Sequence, residues 1–254
     1  YDIVSQADAM AGQRLVELDR AGLTDDTIVF YYGDHGSGMS RSKRWPYNSG
    51  LSVPMVVYFP EKWKHLAPRE YTIGGKSDRL VNFVDLAPTV LSLAGIEPPE
   101  HMQGHAFAGQ YQQEKPKYMF GFRDRMDERY DFIRTVTDGR YQYIRNFNPH
   151  FIYGQYVAYN FVTPSTAAWK RDYLAGKLNE AQSAYWKLKP TEELYDLQTD
   201  PDQVNSLVDS ERHQAILKEL QGALYDWCAQ IRDVGFLPEG EIHSRSVGMS
   251  PYQM

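Results

Sequence analysis

Asp34 and His35 stand together at the end of Thr27-Ile28-Val29-Phe30-Tyr31-Tyr32-Gly33, a β-branched and aromatic run, and Gly36 follows them. The carboxylate suits a hard cation such as calcium, whereas the imidazole suits zinc or a transition metal. Two donors are too few for a closed site, so any further ligands come from elsewhere. Lys43 lies in the loop that leaves this point. Its ammonium there can meet an anionic substrate oxygen or donate a proton. A bland alternative competes with each reading: a polar turn capped by Asp34, and a solvated cation beside Arg41 and Arg44.

The elements that must position these groups follow from the apolar pattern. Thr27 to Gly33 reads as a buried central strand, and ligand sites of open α/β sheets lie beyond the carboxyl ends of strands. Before it, Tyr1, Ile3, Val4, Ala7, Met10, Ala11, Leu15 and Leu18 recur at helical spacing, and Gly22 predicts a helix end near Ala21. After it, Ser37 to Gly50 reads as a long structureless loop of the functional or disordered kind, and Val53 to Phe59 as a second strand. This wiring is α/β. A helix is expected to start near Leu86 or Ala87, where Pro88 is tolerable.

Beyond Glu97-Pro98-Pro99 the pattern changes to short aromatic runs at Tyr118–Phe122, Asp131–Val136 and Tyr141–Arg145, with a hairpin signal at Thr137-Asp138-Gly139-Arg140. These predict a small antiparallel sheet in a second subdomain. Residues 149–190 read as helical turns, and Ser210 to Val234 as an amphipathic C-terminal helix. The expected division is 1–112 for part of the α/β domain and 113–254 for an α+β subdomain.

Composition excludes several classes. The 254 residues, 42% apolar and 14% aromatic, suffice for a sizeable core. A net charge of -6 with mixed signs offers no basic stripe for nucleic acid, and no apolar run has the length of a membrane span. Cys228 is the only cysteine, so neither an internal disulfide nor a Cys-based metal cluster is available. Tyr1 opens directly in a helical pattern, which reads as a piece of a longer protein.

Gly22-Leu23-Thr24-Asp25-Asp26-Thr27-Ile28-Val29, Gly33-Asp34-His35-Gly36, Lys43-Arg44 and Tyr47-Asn48-Ser49-Gly50-Leu51-Ser52-Val53-Pro54-Met55-Val56-Val57 resemble, in order and spacing, the C-terminal half of type I sulfatases. Val84 to Val90, Asp138 to Asn146, and Glu193 to Leu197 with Asp200-Pro201 extend the resemblance over residues 1–225, the last as a late turn. It implies an alkaline-phosphatase-like fold and a sulfuric ester hydrolase acting on sulfated small molecules or carbohydrates. It also implies a periplasmic or secreted location. Asp34 and His35 match the family's ligands to a divalent cation, usually calcium, and Lys43 matches a sulfate-contacting lysine.

The pattern departs in one large respect. The formylglycine nucleophile arises from Cys/Ser-x-Pro-x-Arg, which this chain lacks: Cys228-Ala229-Gln230-Ile231-Arg232 and Ser52-Val53-Pro54-Met55-Val56 each fail at one position. Cys228 reads as a helix-packing residue. The chain is expected to be inactive alone, and through exposed apolar edges either aggregation-prone or associated with its missing half. Arg123 and Arg125, in a dense charged loop, are candidate grips on sulfated or carboxylated sugars. Trp169 and the nearby tyrosines read as subdomain core or as sugar-stacking surfaces. Two other readings compete, a metal-dependent phosphohydrolase recruiting His105 and a non-catalytic binding module.

Overall fold

The computed structural model describes residues 2–251 and 253–254. Tyr1, part of the predicted first helix, lies outside them. The chain divides into two compact units, one holding residues up to Gly33 with Pro54–Pro116, the other Asp34–Val53 with the residues from Lys117 onward.

In the first unit, helix α1 spans Asp2–Arg20. It ends where Gly22 takes φ 69°, with Leu23 N–H donating to Leu18 O at 3.1 Å and Gly22 N–H to Asp19 O at 2.9 Å. That pair of bonds is a Schellman cap, and the left-handed position asks for glycine. The periodicity predicted the helix correctly, but no residue of α1 is buried and Ile3, Val4, Met10, Leu15 and Val16 lie exposed. Strands β1 (Val29–Tyr32) and β2 (Met55–Tyr58) pair antiparallel, with Val29 opposite Tyr58.

The expected central strand therefore has one paired edge among the described residues, and Tyr31 and Tyr32 are exposed. β-Branched and aromatic composition specifies a strand; it does not specify how many neighbours the strand has. Helix α2 (Leu86–Leu93) starts where predicted. A 3₁₀ turn, Phe83–Asp85, precedes it, and Asn82 and Asp85 form a capping box. Pro88 sits in the first turn, where its missing N–H costs little. Phe59, Phe107 and Ala108 form the core of this unit, with Ile28, Phe30, Met55 and Leu86 against them.

The second unit is built on a four-stranded antiparallel sheet in the order β3 (Met119–Arg123), β4 (Ile133–Thr137), β5 (Tyr141–Asn146), β6 (Glu192–Asp196). The hairpin between β4 and β5 is as expected. The segment expected as a late turn is strand β6, with Tyr143 opposite Leu194 and Tyr141 opposite Asp196. Alternation then fills two faces. Val136, Tyr143 and Leu194 meet Leu217, Leu220, Leu224 and Cys228 of a long helix, Gln214–Gln230, while Ile133, Ile144 and Tyr195 meet Trp45, Tyr47, Tyr153, Tyr185 and Trp186.

That helix begins one 3₁₀ turn later than the predicted Ser210 start, and helix Glu239–Arg245, which follows it, has no counterpart in the sequence reading. Residues 149–190 supply helix Pro164–Leu174 and shorter turns as expected. Tyr153, Tyr185 and Trp186 are core, with Trp169 stacked on Tyr185 at 4.8 Å between ring centroids, whereas Tyr156 and Tyr159 remain half exposed. Numbered in chain order, helices Pro164–Leu174, Gln214–Gln230 and Glu239–Arg245 are α3, α4 and α5.

Candidate active site

The segment carrying the candidate residues belongs wholly to the second unit. It is closed at its base. Gly36 N–H donates to Gly50 O at 3.3 Å, Lys43 N–H to Ser37 O at 3.0 Å, and Ser42 Oγ to Ser49 O at 2.6 Å. A Cβ on Gly36 would stand 2.1 Å from Ser49 O, so only glycine permits this approach. Arg41 and Arg44 take φ 62° and 83°, left-handed positions uncommon for side-chain-bearing residues. Distant contacts hold them there.

Arg41 donates to the carbonyls of Asp202 and Gln203 at 2.6 and 2.5 Å. Arg44 pairs with Asp127. Trp45 packs edge-on to Tyr153 and Tyr185. Gln142 donates to Pro46 O at 2.9 Å and accepts from Gln203 at 3.0 Å, while Gln203 accepts the Asn48 N–H at 2.6 Å. The loop expected to be structureless is thus an ordered clasp, ending in a helical turn at Asn48–Leu51.

Beneath it sits Glu193, a buried carboxylate that accepts from Tyr47 at 2.9 Å, Tyr195 at 2.6 Å, Asn146 at 2.8 Å and also Tyr153. Four donors satisfy a charge that burial alone would make costly. Burial first, and then the Glu193 charge, push the Tyr47 and Tyr195 hydroxyls far above the ordinary phenol range, so they stay protonated donors. In Tyr153, burial and its neighbours Tyr47 and Glu193 act in the same direction.

The sequence-predicted residues fall as follows. Asp34 is open to solvent, its side chain 84% exposed, and His35 Nε2 lies 3.6 Å from Asp34 Oδ1. His35 Nδ1 is within hydrogen-bond distance of Gly36 O, at 2.7 Å. Donation from Nδ1 to that carbonyl leaves Nε2 with a free lone pair. Lys43 Nζ reaches the Tyr159 hydroxyl at 3.5 Å and lies 5.1 Å from the centre of its ring. His105 belongs to the first unit, where it is exposed and its backbone N–H donates to Asp85 Oδ1 at 2.8 Å.

The charged loop turns only some of its side chains inward, Glu128 and Arg129 being exposed. Arg123 has a side chain 0% exposed, pairs with Asp127 at 3.2 Å and lies 4.2 Å from the Trp45 ring centre. Asp131 stands 3.9 Å from Arg123 Nε and also holds Lys189. Burial lowers the Lys189 pKa, with the Asp131 charge opposing it. A guanidinium so enclosed meets a ligand only if the loop opens. Arg125 keeps a partly open guanidinium, paired with Asp124 at 3.1 Å and donating to Leu237 O at 2.8 Å. Cys228 is a buried free thiol on α4, pushed up to about 11 first by burial and then by Asp233, a packing residue without thiolate character.

One carboxylate and one imidazole on consecutive residues, the carboxylate open and the imidazole with one nitrogen free, fit part of a divalent-cation shell. Among the described residues no group of three or more His, Cys, Asp or Glu converges, so the pair does not form a closed site. Among the same residues no helix is long and apolar enough to cross a membrane.

Comparison with known proteins places this architecture. The sulfatase family model matches residues 1–96. An ulvan-active sulfatase of Formosa agariphila is 39% identical over 244 residues, covering 95% of this chain and 39% of that protein. Among solved structures, a 2-O GAG sulfatase superposes with TM-score 0.56 at 21% identity, covering 83% of this chain and 38% of the other. A structure in complex with its substrate D-glucosamine-2-N,6-O-disulfate superposes with TM-score 0.59 at 18% identity, covering 92% and 41%. The mixed helices and antiparallel sheets match the α/β fold of these sulfatase structures. The chain corresponds to a C-terminal portion of the sulfatases it matches, spanning about two fifths of their length.

Proposed function

We propose that this chain forms the C-terminal part of a sulfatase that hydrolyses sulfate esters of carbohydrates. Residues 1–112 complete its catalytic α/β domain and 113–254 form its subdomain. The observation that carries the reading is the Asp34-His35 pair beyond β1, followed by a clasp that presents the Lys43 ammonium without a carboxylate partner among the described residues. Asp34 and His35 supply two ligands of a divalent cation, proposed as calcium because the carboxylate is a hard oxygen donor. A cation bound there adds positive charge against the sulfuryl oxygens.

Lys43 contributes a second fixed charge, preorganised because the clasp holds its backbone before substrate arrives. The formylglycine nucleophile comes from outside these residues, so the chain by itself is inactive. Arg125, at the partly open end of its loop, is the better placed of the two candidate arginines for an outer sulfate or carboxylate. The names of the sulfatase relative and of the sugar-sulfate complex support carbohydrate as the substrate class.

The deciding experiment treats the full-length protein with sulfated saccharides and measures released sulfate by ion chromatography, before and after chelation and calcium restoration. Sulfate release that disappears with chelator and returns with calcium is expected. Phosphate release from phosphate esters with two bound zinc ions, and none from sulfate esters, would overturn the reading in favour of a phosphohydrolase.

A further inference from the structure

Lys43 and Arg44 share one aromatic neighbour. The Tyr159 ring centre lies 5.1 Å from Lys43 Nζ and 4.4 Å from Arg44 Cζ, and its hydroxyl is 3.5 Å from the lysine ammonium. Arg44 is neutralised by Asp127, whereas Lys43 pairs with no carboxylate among the described residues. Tyr159 as a residue is 51% exposed. An unneutralised ammonium beside a half-open aromatic ring is matched by a ligand with an anionic substituent and an apolar ring face.

The ring is also held in place. The loop after β3 acts as a bracket: Asp127 takes Arg44, the Glu128 carboxylate accepts the Ala158 N–H at 2.6 Å, and Arg129 Nε donates to Tyr156 O at 3.1 Å. One short loop thereby fixes the clasp on one side and the segment carrying Tyr159 on the other.

We infer that Tyr159 is the sugar-binding platform of the site, its exposed face stacking on the pyranose ring whose sulfate meets Lys43. This deepens the sulfatase reading and rests on it. Pyranose rings present axial C–H groups on one face and pack on aromatic rings through that face. The sulfate oxygens, projecting from the ring edge, then reach the ammonium that the Tyr159 hydroxyl also touches.

The test uses the full-length enzyme, a sulfated monosaccharide as substrate, and inorganic sulfate as a competitive ligand that has no ring. Tyr159→Ala is expected to raise KM for the sugar sulfate about tenfold, as the loss of one stacking contact implies. The inhibition constant of inorganic sulfate is expected to move less than about threefold, and Tyr159→Phe to restore most of the sugar affinity. An unchanged KM in Tyr159→Ala overturns the inference. So does an equal rise in KM and in the sulfate inhibition constant, because Tyr159 would then act only by holding Lys43. A wild-type enzyme that releases no sulfate from any sugar sinks the parent reading, and the platform with it.

Discussion

The Tyr47 hydroxyl donates to the Glu193 carboxylate at 2.9 Å, joining the clasp just beyond Lys43 to the last strand of the sheet. The lysine's loop is therefore registered against the subdomain's interior and not against solvent. Tyr47→Phe should cost about 1 kcal/mol, the net worth of one buried hydrogen bond, and lower sulfatase turnover more than substrate affinity. Glu193→Ala, which strands three hydroxyls and an amide, should cost more than ~3 kcal/mol. Thermal unfolding of the full-length variants checks both, and equal stability of Glu193→Ala and wild type would refute the hub.

Lys43→Ala should reduce turnover by about 10²-fold or more, the usual consequence of losing one preorganised charge, while bound metal stays at wild-type stoichiometry. Lys43→Arg should recover little, since a planar fork does not reproduce a point charge. Turnover within a few-fold of wild type in Lys43→Ala removes the residue from the mechanism.

Asp34→Ala and His35→Ala should each lower calcium content of the purified full-length protein, read by elemental mass spectrometry. The larger effect is expected for Asp34, the harder donor. Full calcium occupancy in the Asp34 variant is the result that rejects its ligand role.

Asp233 reads out acid stability. Burial alone raises its pKa, but the hydrogen bonds and charge of Arg134, at 2.6 and 2.9 Å, bring it below the ordinary carboxylate value. A folded pKa below the unfolded one means that Asp233 stabilises the fold fully above about pH 4 and loses that contribution as pH falls through the folded value. Asp233→Asn should cost about 1.5 to 3 kcal/mol near neutrality, because the buried Arg134 loses one charged partner but keeps Asp124 at 3.0 Å. The variant's melting temperature should fall less steeply than wild type below about pH 4; parallel profiles would contradict the assignment.

Arg125→Ala should raise KM for sulfated saccharides with little loss of stability, its guanidinium being partly open. Arg123→Met should mainly lower the melting temperature, because its side chain is enclosed between Trp45 and Asp127. A KM effect confined to Arg123→Met would return the substrate role to that residue.

What could be read in advance was local. The Gly22 cap, the start of α2 and the β4–β5 hairpin each depend on residues a few positions apart, and each stands where expected. What escaped depends on partners far along the chain. Glu193 finds its donors in Tyr47 and Tyr153, far away along the chain, and the resemblance that reads this segment as a late turn carries no sign of them. Residues 37–50 carry the glycine, serine and basic composition of a free loop, and their order comes from Gln203, Asp202 and Asp127. Asp34, His35 and Lys43 were singled out by residue type and order. Tyr159 enters only with the group of tyrosines around Trp169, because nothing near it in sequence marks it apart from them.

The bracket after β3 grips the Tyr159 segment at two main-chain atoms, the Ala158 amide and the Tyr156 carbonyl. Side chains there can change without unfastening the support, while Arg44 keeps its own acidic partner in Asp127. The backbone that carries Tyr159 is therefore fastened separately from the side chain it displays, as a gem is mounted by its setting.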